Sequence, residues 1–356
     1  MERESKVESI QLGRGLAASI VAVSHIAFGY ADHIGPGLGV ANCVALPAQA
    51  AVCLFFIISG YVMVISSHRL YGKDNALRVF LIRRAVRILP SWWIASVSLA
   101  CVFLWLDLSF DAREFVLSLV LIPYDTAGFA GRPSFLLWPG WTLFYEMVFY
   151  LLFGLALGFG RTAAIATASA AILALVLCGA ILNPAAAWVV SLTRPVFLLF
   201  LVGMFLAIFR ENGRALPWVA RWTLVAAGAA ASIFVTEPEG AAGLGFDYLV
   251  WAGLPAACFA AALLGGSLKV PCFLIMDRFG DTSFALYILH VPLAHIWINI
   301  FPLQFGAWPF LLSAIVFVLG VSYAFFMLLE RSLTRKLNLV LGARTPNDRQ
   351  LERTSV

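Results

Sequence analysis

Long apolar runs separated by short polar stretches make up most of the chain. A spanning helix needs about 20 mainly apolar residues. Ten runs meet that length, near residues 10–30, 47–66, 88–106, 139–159, 162–182, 193–209, 217–236, 247–265, 282–301 and 307–329. The run over 113–122 is too short to span and is predicted to lie at the membrane interface. The pattern therefore predicts an all-α polytopic membrane protein of about ten helices.

Composition supports this fold class and excludes others. Of the 356 residues, 62% are hydrophobic and 12% are charged, whereas soluble proteins carry about 45–50% and about 25%. Such a chain cannot be a soluble enzyme, a disordered protein or a nucleic-acid binder as a whole. Because the loops are short, we predict one integral-membrane domain over 1–330 and a basic, disordered cytoplasmic tail over 331–356.

The positions of the basic residues set the orientation. Cytoplasmic loops of membrane proteins are enriched in Lys and Arg. If the N-terminus is cytoplasmic and ten helices alternate, 24 basic residues divide unevenly, and all but Arg113, Arg132 and Arg194 fall on the cytoplasmic side. A wrong helix count would scramble this asymmetry. Both termini are therefore predicted to be cytoplasmic.

Two ionisable residues occupy one face of the first helix. Arg14 and His25 are eleven residues apart, which is 20° past three full turns and an axial separation of ~16 Å. Arg14 would lie at the cytoplasmic edge and His25 near mid-membrane. Charged groups at depth are costly and usually functional, and an imidazole can act as a general base. The plain alternatives are a snorkelling anchor for Arg14 and a packed core histidine for His25.

Three arginines precede the third run. Arg83 and Arg87 are spaced i, i+4 and share a helical face with each other, while Arg84 lies beside them. Guanidinium groups bind phosphate and pyrophosphate in bidentate geometry. A site for a polyanion at the membrane surface is one interpretation, and a positive-inside cluster against lipid headgroups is the other.

A carboxylate, Glu146, interrupts the apolar run over 139–159. Thr142, Glu146 and Tyr150 follow i, i+4 and i+8 spacing and form one polar stripe. A buried carboxylate must be protonated or paired, and His25 and Arg194 are candidate partners. The alternative is a structural ion pair between helices.

A third polar face lies on the ninth helix. Ser283, Tyr287 and His290 are offset by four and seven residues, so they share a face. The alternative for His290 is a core histidine that donates to a carbonyl. None of the five histidines has a carboxylate at ligand spacing, and we predict no metal site.

Five motifs in order resemble the acyltransferase 3 family of membrane O-acyltransferases. The resemblance covers about 8–330 and is closest to the exopolysaccharide O-acetyltransferase branch. The motifs are Arg14-(ten residues)-His25, Phe55-Phe56-Ile57-Ile58-Ser59-Gly60-Tyr61, Arg83-Arg84-x-x-Arg87-Ile88-Leu89-Pro90, Trp141-x-Leu143-x-x-Glu146 and Ser283-Phe284-x-x-Tyr287-x-x-His290-x-Pro292.

The resemblance implies an enzyme of the bacterial inner membrane that transfers an acyl group, usually acetyl from acetyl-CoA, to a carbohydrate hydroxyl. It implies that Arg14 and His25 are the essential first-helix pair and that the arginines at 83, 84 and 87 lie near the donor. No tightly bound cofactor is expected, because acetyl-CoA is a substrate. The remaining expected partners are a sugar or lipid-linked oligosaccharide acceptor and membrane lipids, with no nucleic acid; self-association is left open.

The residue patterns and the family resemblance together suggest a mechanism, stated here as a hypothesis. Arg83, Arg84, Arg87 and Arg14 bind the donor phosphates. His25 is the general base, or it first takes the acetyl group itself, and Glu146 orients it. Ser283, Tyr287 or His290 stabilises the oxyanion. The rival function is a transporter or flippase of a lipid-linked sugar or small anion, since buried His, Arg and Glu would serve that as well. A purely structural membrane protein is a third, weaker alternative.

Overall fold

The computed structural model describes residues 2–34, 40–124, 134–182, 184, 186–238, 243–267, 273–302 and 306–342. The described chain is helical, with one isolated bridge between Tyr124 and Ser134. The helices are α1 (Glu2–Ile34), α2 (Val40–Ser66), α3 (Ala76–Trp105), α4 (Ala112–Leu119), α5 (Gly140–Ala156), α6 (Arg161–Leu182), α7 (Ala187–Leu192), α8 (Leu198–Glu211), α9 (Trp218–Phe234), α10 (Phe246–Tyr248), α11 (Leu254–Leu264), α12 (Phe273–Ile300), α13 (Ala307–Phe325) and α14 (Arg331–Val340).

The all-α polytopic fold class is confirmed, and each of the ten predicted segments falls on a helix. Among the described residues, eight helical stretches are long and apolar enough to cross a membrane. The segments near 139–159 and 217–236 form the shorter helices α5 and α9, of 17 residues each. The short segment near 113–122 forms α4. The number of spans and the cytoplasmic termini stay predictions.

Helix α3 begins at Ala76 rather than near residue 88 and continues through Pro90. Proline is tolerated inside membrane helices because neighbouring groups satisfy the freed backbone carbonyls. As a result Arg83, Arg84 and Arg87 lie within the helix and not ahead of it. These arginines, which the hydropathy pattern placed before the third span, are therefore part of helix α3.

The last helix also extends further than expected. The tail was predicted to be disordered from residue 331, but the chain continues through a π-helical turn, Phe326–Glu330, into α14. Helix α14 alternates Arg331, Arg335 and Lys336 with apolar residues, a pattern that favours a helix along an interface. Residues 343–356 lie outside the described chain.

Two reciprocal glycines hold α2 against α8. A Cβ placed on Gly60 would lie 2.1 Å from the carbonyl oxygen of Phe200, and one on Gly203 would lie 1.9 Å from that of Ile57. Such backbone proximity is available only to glycine, as at other small-residue helix contacts in membranes. The glycine of the Ser59-Gly60-Tyr61 motif is therefore a packing residue that fixes the position of its neighbour Ser59.

An aromatic cluster fixes α5 in the bundle. Phe149 stacks on Phe200 with ring centroids 4.2 Å apart, and Tyr145 packs edge-on against Phe197 at 5.0 Å and Phe56 at 6.2 Å. All five rings are buried. Because these contacts occupy one side of α5, its polar stripe is directed towards α2, α3 and α12.

Candidate active site

A cavity of about 90 Å³ lies among α1, α2, α3, α5 and α12. That volume accommodates a few water molecules or a small reacting group. Most of the residues around it are apolar. The polar side chains that line it are Arg14, Ser59, Arg84, Arg87, Thr142, Glu146, Tyr150 and Tyr287. Residues from all five of the motifs singled out in the sequence therefore meet at one place.

Glu146 is hydrogen-bonded on two sides within this cavity. Its Oε1 accepts from Ser59 Oγ at 2.8 Å and from the Tyr150 hydroxyl. The charges of Arg14 and Arg84 also interact with the carboxylate. The polar stripe expected from sequence thus becomes a carboxylate held between α2 and α5 and facing arginines from α1 and α3.

The guanidinium of Arg84 is positioned mainly by contacts with aromatic rings. Its guanidinium carbon lies 5.5 Å from the Phe80 ring centroid and 5.4 Å from that of Tyr150, within the range of a cation–π contact. Its Nη2 donates to Ser66 Oγ at 3.1 Å, while its buried Nε–H has no hydrogen-bond partner among the described residues. A charged donor without a partner inside a cavity is suited to an anionic ligand.

Two further carboxylates interact with these arginines through their charges. Glu330, at the end of the π-helical turn, is 6% exposed, and its charge interacts with those of Arg87, Arg14 and Asp281. Asp281 accepts a hydrogen bond from Gln11 Nε2 at 2.6 Å. Sequence reasoning missed both. The sequence does contain a signal for them, because few acidic residues lie at the ends of its apolar runs.

Thr142 and Tyr287 join α5 to α12. Their hydroxyl oxygens are 2.7 Å apart, and Thr142 also donates to the carbonyl of Pro139 at 2.9 Å. A threonine hydroxyl has one proton, so Tyr287 is the donor in the shared bond. The Tyr287 proton is therefore already used in this arrangement. Ser283, one turn earlier on α12, is buried, and its Oγ has no hydrogen-bond partner among the described residues.

His25 and His290 form a pair. His25 Nδ1 lies 2.6 Å from His290 Nε2, and the two ring planes are parallel to within 3° with centroids 4.9 Å apart. His290 Nδ1 lies 3.2 Å from the backbone carbonyl of Leu286. His290 is fully buried, whereas His25 is partly exposed.

The Leu286 carbonyl determines which ring nitrogens carry protons. A carbonyl only accepts, so His290 Nδ1 carries the proton and its Nε2 is an acceptor in the neutral ring. His25 Nδ1 must then donate to His290, which leaves His25 Nε2 unprotonated. The pair thus presents one imidazole nitrogen as a base, oriented by a second histidine and a backbone carbonyl.

The structure groups the predicted residues differently from the sequence hypothesis. Glu146 was paired with His25 or Arg194, but its hydrogen bonds go to Ser59 and Tyr150, and the hydrogen-bond partner of His25 is His290. Tyr287 connects the two groups, because its ring centroid lies 6.0 Å from that of His290 and the residue also lines the cavity.

Two predicted residues lie elsewhere. Arg83 does not line the cavity; on α3 that position belongs to Arg84 and Arg87. Arg194 lies at the break before α8 and lines a separate cavity of about 300 Å³ that also includes Gly179 and Thr193. A proline at 195 starts a 3₁₀ turn there, since proline cannot continue the hydrogen bonding of a preceding helix. No group of three or more potential metal-ligand side chains occurs among the described residues.

Comparison with known proteins adds a family. The sequence model of an acyltransferase domain, Acyl_transf_3, matches residues 7–327. The chain is also 29% identical over 296 residues to the exopolysaccharide production protein ExoZ of Rhizobium meliloti (strain 1021), covering 81% of this chain and 90% of that protein. No solved structure matches the chain.

Proposed function

Because this chain belongs to the acyltransferase 3 family, we propose that it is a membrane O-acyltransferase of exopolysaccharide synthesis. The proposed reaction moves an acyl group, acetyl in the simplest case, from acyl-CoA to a sugar hydroxyl. The observation that carries the proposal is the arrangement along α1. An arginine-lined cavity contains Arg14, and an oriented histidine base lies ~16 Å further along the same helix.

This arrangement suits a long, two-ended donor. The phosphates of CoA would bind at the arginine end, where Arg84 has a buried donor without a partner. The narrow pantetheine arm would extend along α1 and bring the thioester towards the histidines. A cavity of about 90 Å³ is too small for the nucleotide, so the adenosine would stay outside it.

In the proposed step, His25 Nε2 takes the proton of the acceptor hydroxyl as its oxygen attacks the thioester carbon. The C–O bond forms, the C–S bond breaks, and the proton on His25 is returned to the departing CoA thiolate. His290 holds the His25 ring and accepts from its Nδ1–H throughout, the role that a carboxylate has in a Ser-His-Asp triad.

The oxyanion of the tetrahedral intermediate needs a donor. The protons of Tyr287 and His290 already bind Thr142 and the Leu286 carbonyl. Ser283 is the one of the three earlier candidates whose hydroxyl proton has no acceptor among the described residues. Ser283 nevertheless lies seven residues before His290 on α12, about 10 Å along the helix axis, so its hydroxyl is not placed to reach a carbonyl held at His25. Family membership favours transfer over transport for the site as a whole.

The first test compares a deletion strain with its parent by mass spectrometry of the surface polysaccharide. Loss of one acetyl group per repeating unit in the deletion strain is expected. Membranes that contain the protein should also transfer label from radioactive acetyl-CoA to isolated, unacetylated polysaccharide or its lipid-linked precursor. Unchanged acetylation together with less exported polysaccharide would instead indicate the transporter.

Arg84→Ala tests the donor site. Loss of a charged hydrogen-bond donor costs about 1.5–3 kcal/mol, so the KM for acetyl-CoA should rise roughly 10- to 100-fold, while kcat at saturating donor changes little. The measurement is initial rate against acetyl-CoA concentration in membranes of matched protein content.

Arg83→Ala is the matched control, because Arg83 is the adjacent arginine on α3 and does not line the cavity. It should leave the donor KM within twofold of the parent. An unchanged KM in Arg84→Ala, or an equal rise in both variants, would place the donor phosphates elsewhere.

A further inference from the structure

A second, larger cavity lies between α1, α2, α9 and α11. It measures about 720 Å³ and is lined almost entirely by apolar side chains, including Leu16, Ile20, Leu54, Trp222, Ile233 and Phe259. It shares no lining residue with the candidate active site. Leu16, Trp222 and Ile233 are 48%, 65% and 73% exposed, so the cavity is a groove that opens on the outer surface of the bundle.

Small residues create this space. Ala50 and Ala51 of α2, Ala229 of α9 and Ala256 of α11 lie where larger side chains would close the gap. An apolar space of this size costs free energy when it is empty, because the lining atoms lose their packing partners. Water does not fill it favourably, since a buried water needs polar partners. Within a bilayer, hydrocarbon chains are the material that fills such a groove.

One end of the groove is charged. Arg221 lines it there, with its Nε donating to the carbonyl of Ala262 at 2.6 Å and its Nη1 to that of Ser267 at 2.9 Å. These carbonyls fix the guanidinium but do not neutralise it. No carboxylate pairs with Arg221 in the part of the chain that the structure describes, and the charge that interacts with it is a second arginine, Arg210.

We propose that the groove binds one anionic membrane lipid, with a hydrocarbon chain along the apolar walls and its phosphate on Arg221. The N–H groups of Arg221 that the two carbonyls leave unused are suited to phosphate oxygens. Trp218 and Trp222, which also line the groove near Arg221, are of the residue type that settles at the headgroup level. The site is independent of acyl transfer and braces α1, the helix that carries Arg14 and His25, against α9 and α11.

Native mass spectrometry of the purified full chain tests the proposal, with phosphatidylglycerol and phosphatidylcholine added in turn. The parent should retain one phosphatidylglycerol in preference to phosphatidylcholine. Arg221→Gln should weaken retention of phosphatidylglycerol about fivefold, the effect of one basic residue on an anionic lipid, and remove the preference. Arg221→Lys should keep the preference, because the positive charge remains.

Ala229→Phe tests the apolar part, because its ring would fill the groove and should reduce retention of both lipids. The matched controls are Arg278→Gln on α12 and Ala166→Phe on α6, exposed residues outside the groove, and both should behave as the parent. Equal retention of the two lipids by the parent, or equal losses in variants and controls, would overturn the proposal. So would a dimer that Ala229→Phe converts to monomer, since the groove would then be an interface between two copies.

Discussion

Replacing His25 with alanine is expected to abolish acyl transfer while the chain still folds and inserts into the membrane. The imidazole is the base in the proposed step, and a positioned general base contributes roughly 10²–10⁴-fold to rate. The substitution removes one hydrogen bond, to His290, from a partly exposed side chain. Because it also leaves the buried Nε2 of His290 without a donor, the stability cost should be about 1–3 kcal/mol. The measurement is label transfer from acetyl-CoA beside the amount of folded protein in the membrane.

His295→Ala is the matched control. His295 lies on α12, the helix that carries His290. Its ring packs edge-on against Phe103 with centroids 5.6 Å apart and takes no part in the histidine pair. Its loss should leave transfer within a few-fold of the parent. Transfer at the parental rate by His25→Ala would remove His25 from the chemistry, and an equal loss in both variants would indicate a general effect of losing a histidine.

Hydropathy predicted the fold well because a bilayer permits few structures. Apolar runs must be helices there, so the residues 47–66 and 162–182 correspond closely to α2 and α6. Helix α3 was placed too late because Arg83, Arg84 and Arg87 lower the local hydropathy. Rings of Phe80 and Tyr150, together with Glu146, make the position of Arg84 tolerable inside the bundle. Those compensating groups lie on other turns and another helix, where a sliding window does not register them.

Side-chain spacing predicted which residues share one face of a helix, but not which residues of other helices they contact. The stripe of Thr142, Glu146 and Tyr150 follows from i, i+4 periodicity, and all three line the cavity. The partner of His25 could not be predicted this way, because His290 is 265 positions away and on another helix. Choosing Glu146 as that partner followed the rule that a buried carboxylate needs a cation. The neighbouring arginines, not the histidine, meet that need.

His290→Leu is expected to lower kcat by roughly 10²–10⁴-fold, with little change in the KM for acetyl-CoA. Leucine fills much of the same volume but cannot accept the Nδ1–H of His25, so the ring loses both its orientation and its fixed tautomer. His290→Gln should restore part of the rate, because an amide oxygen can accept that hydrogen bond and the amide N–H₂ can donate to the Leu286 carbonyl. The measurement is kcat and donor KM for both variants.

The two histidines should also behave as one unit. If His290 acts only through His25, the double variant His25→Ala/His290→Leu should be no slower than His25→Ala alone, as found for residues that work together in other enzymes. A purely structural His290 predicts something else, namely equal defects in the leucine and glutamine variants that follow the amount of folded protein. A rise in donor KM with kcat unchanged would move His290 to the donor site. Because each role predicts a different split between kcat, KM and folded protein, this set of variants decides whether the hydrogen bond between the histidines is part of the reaction.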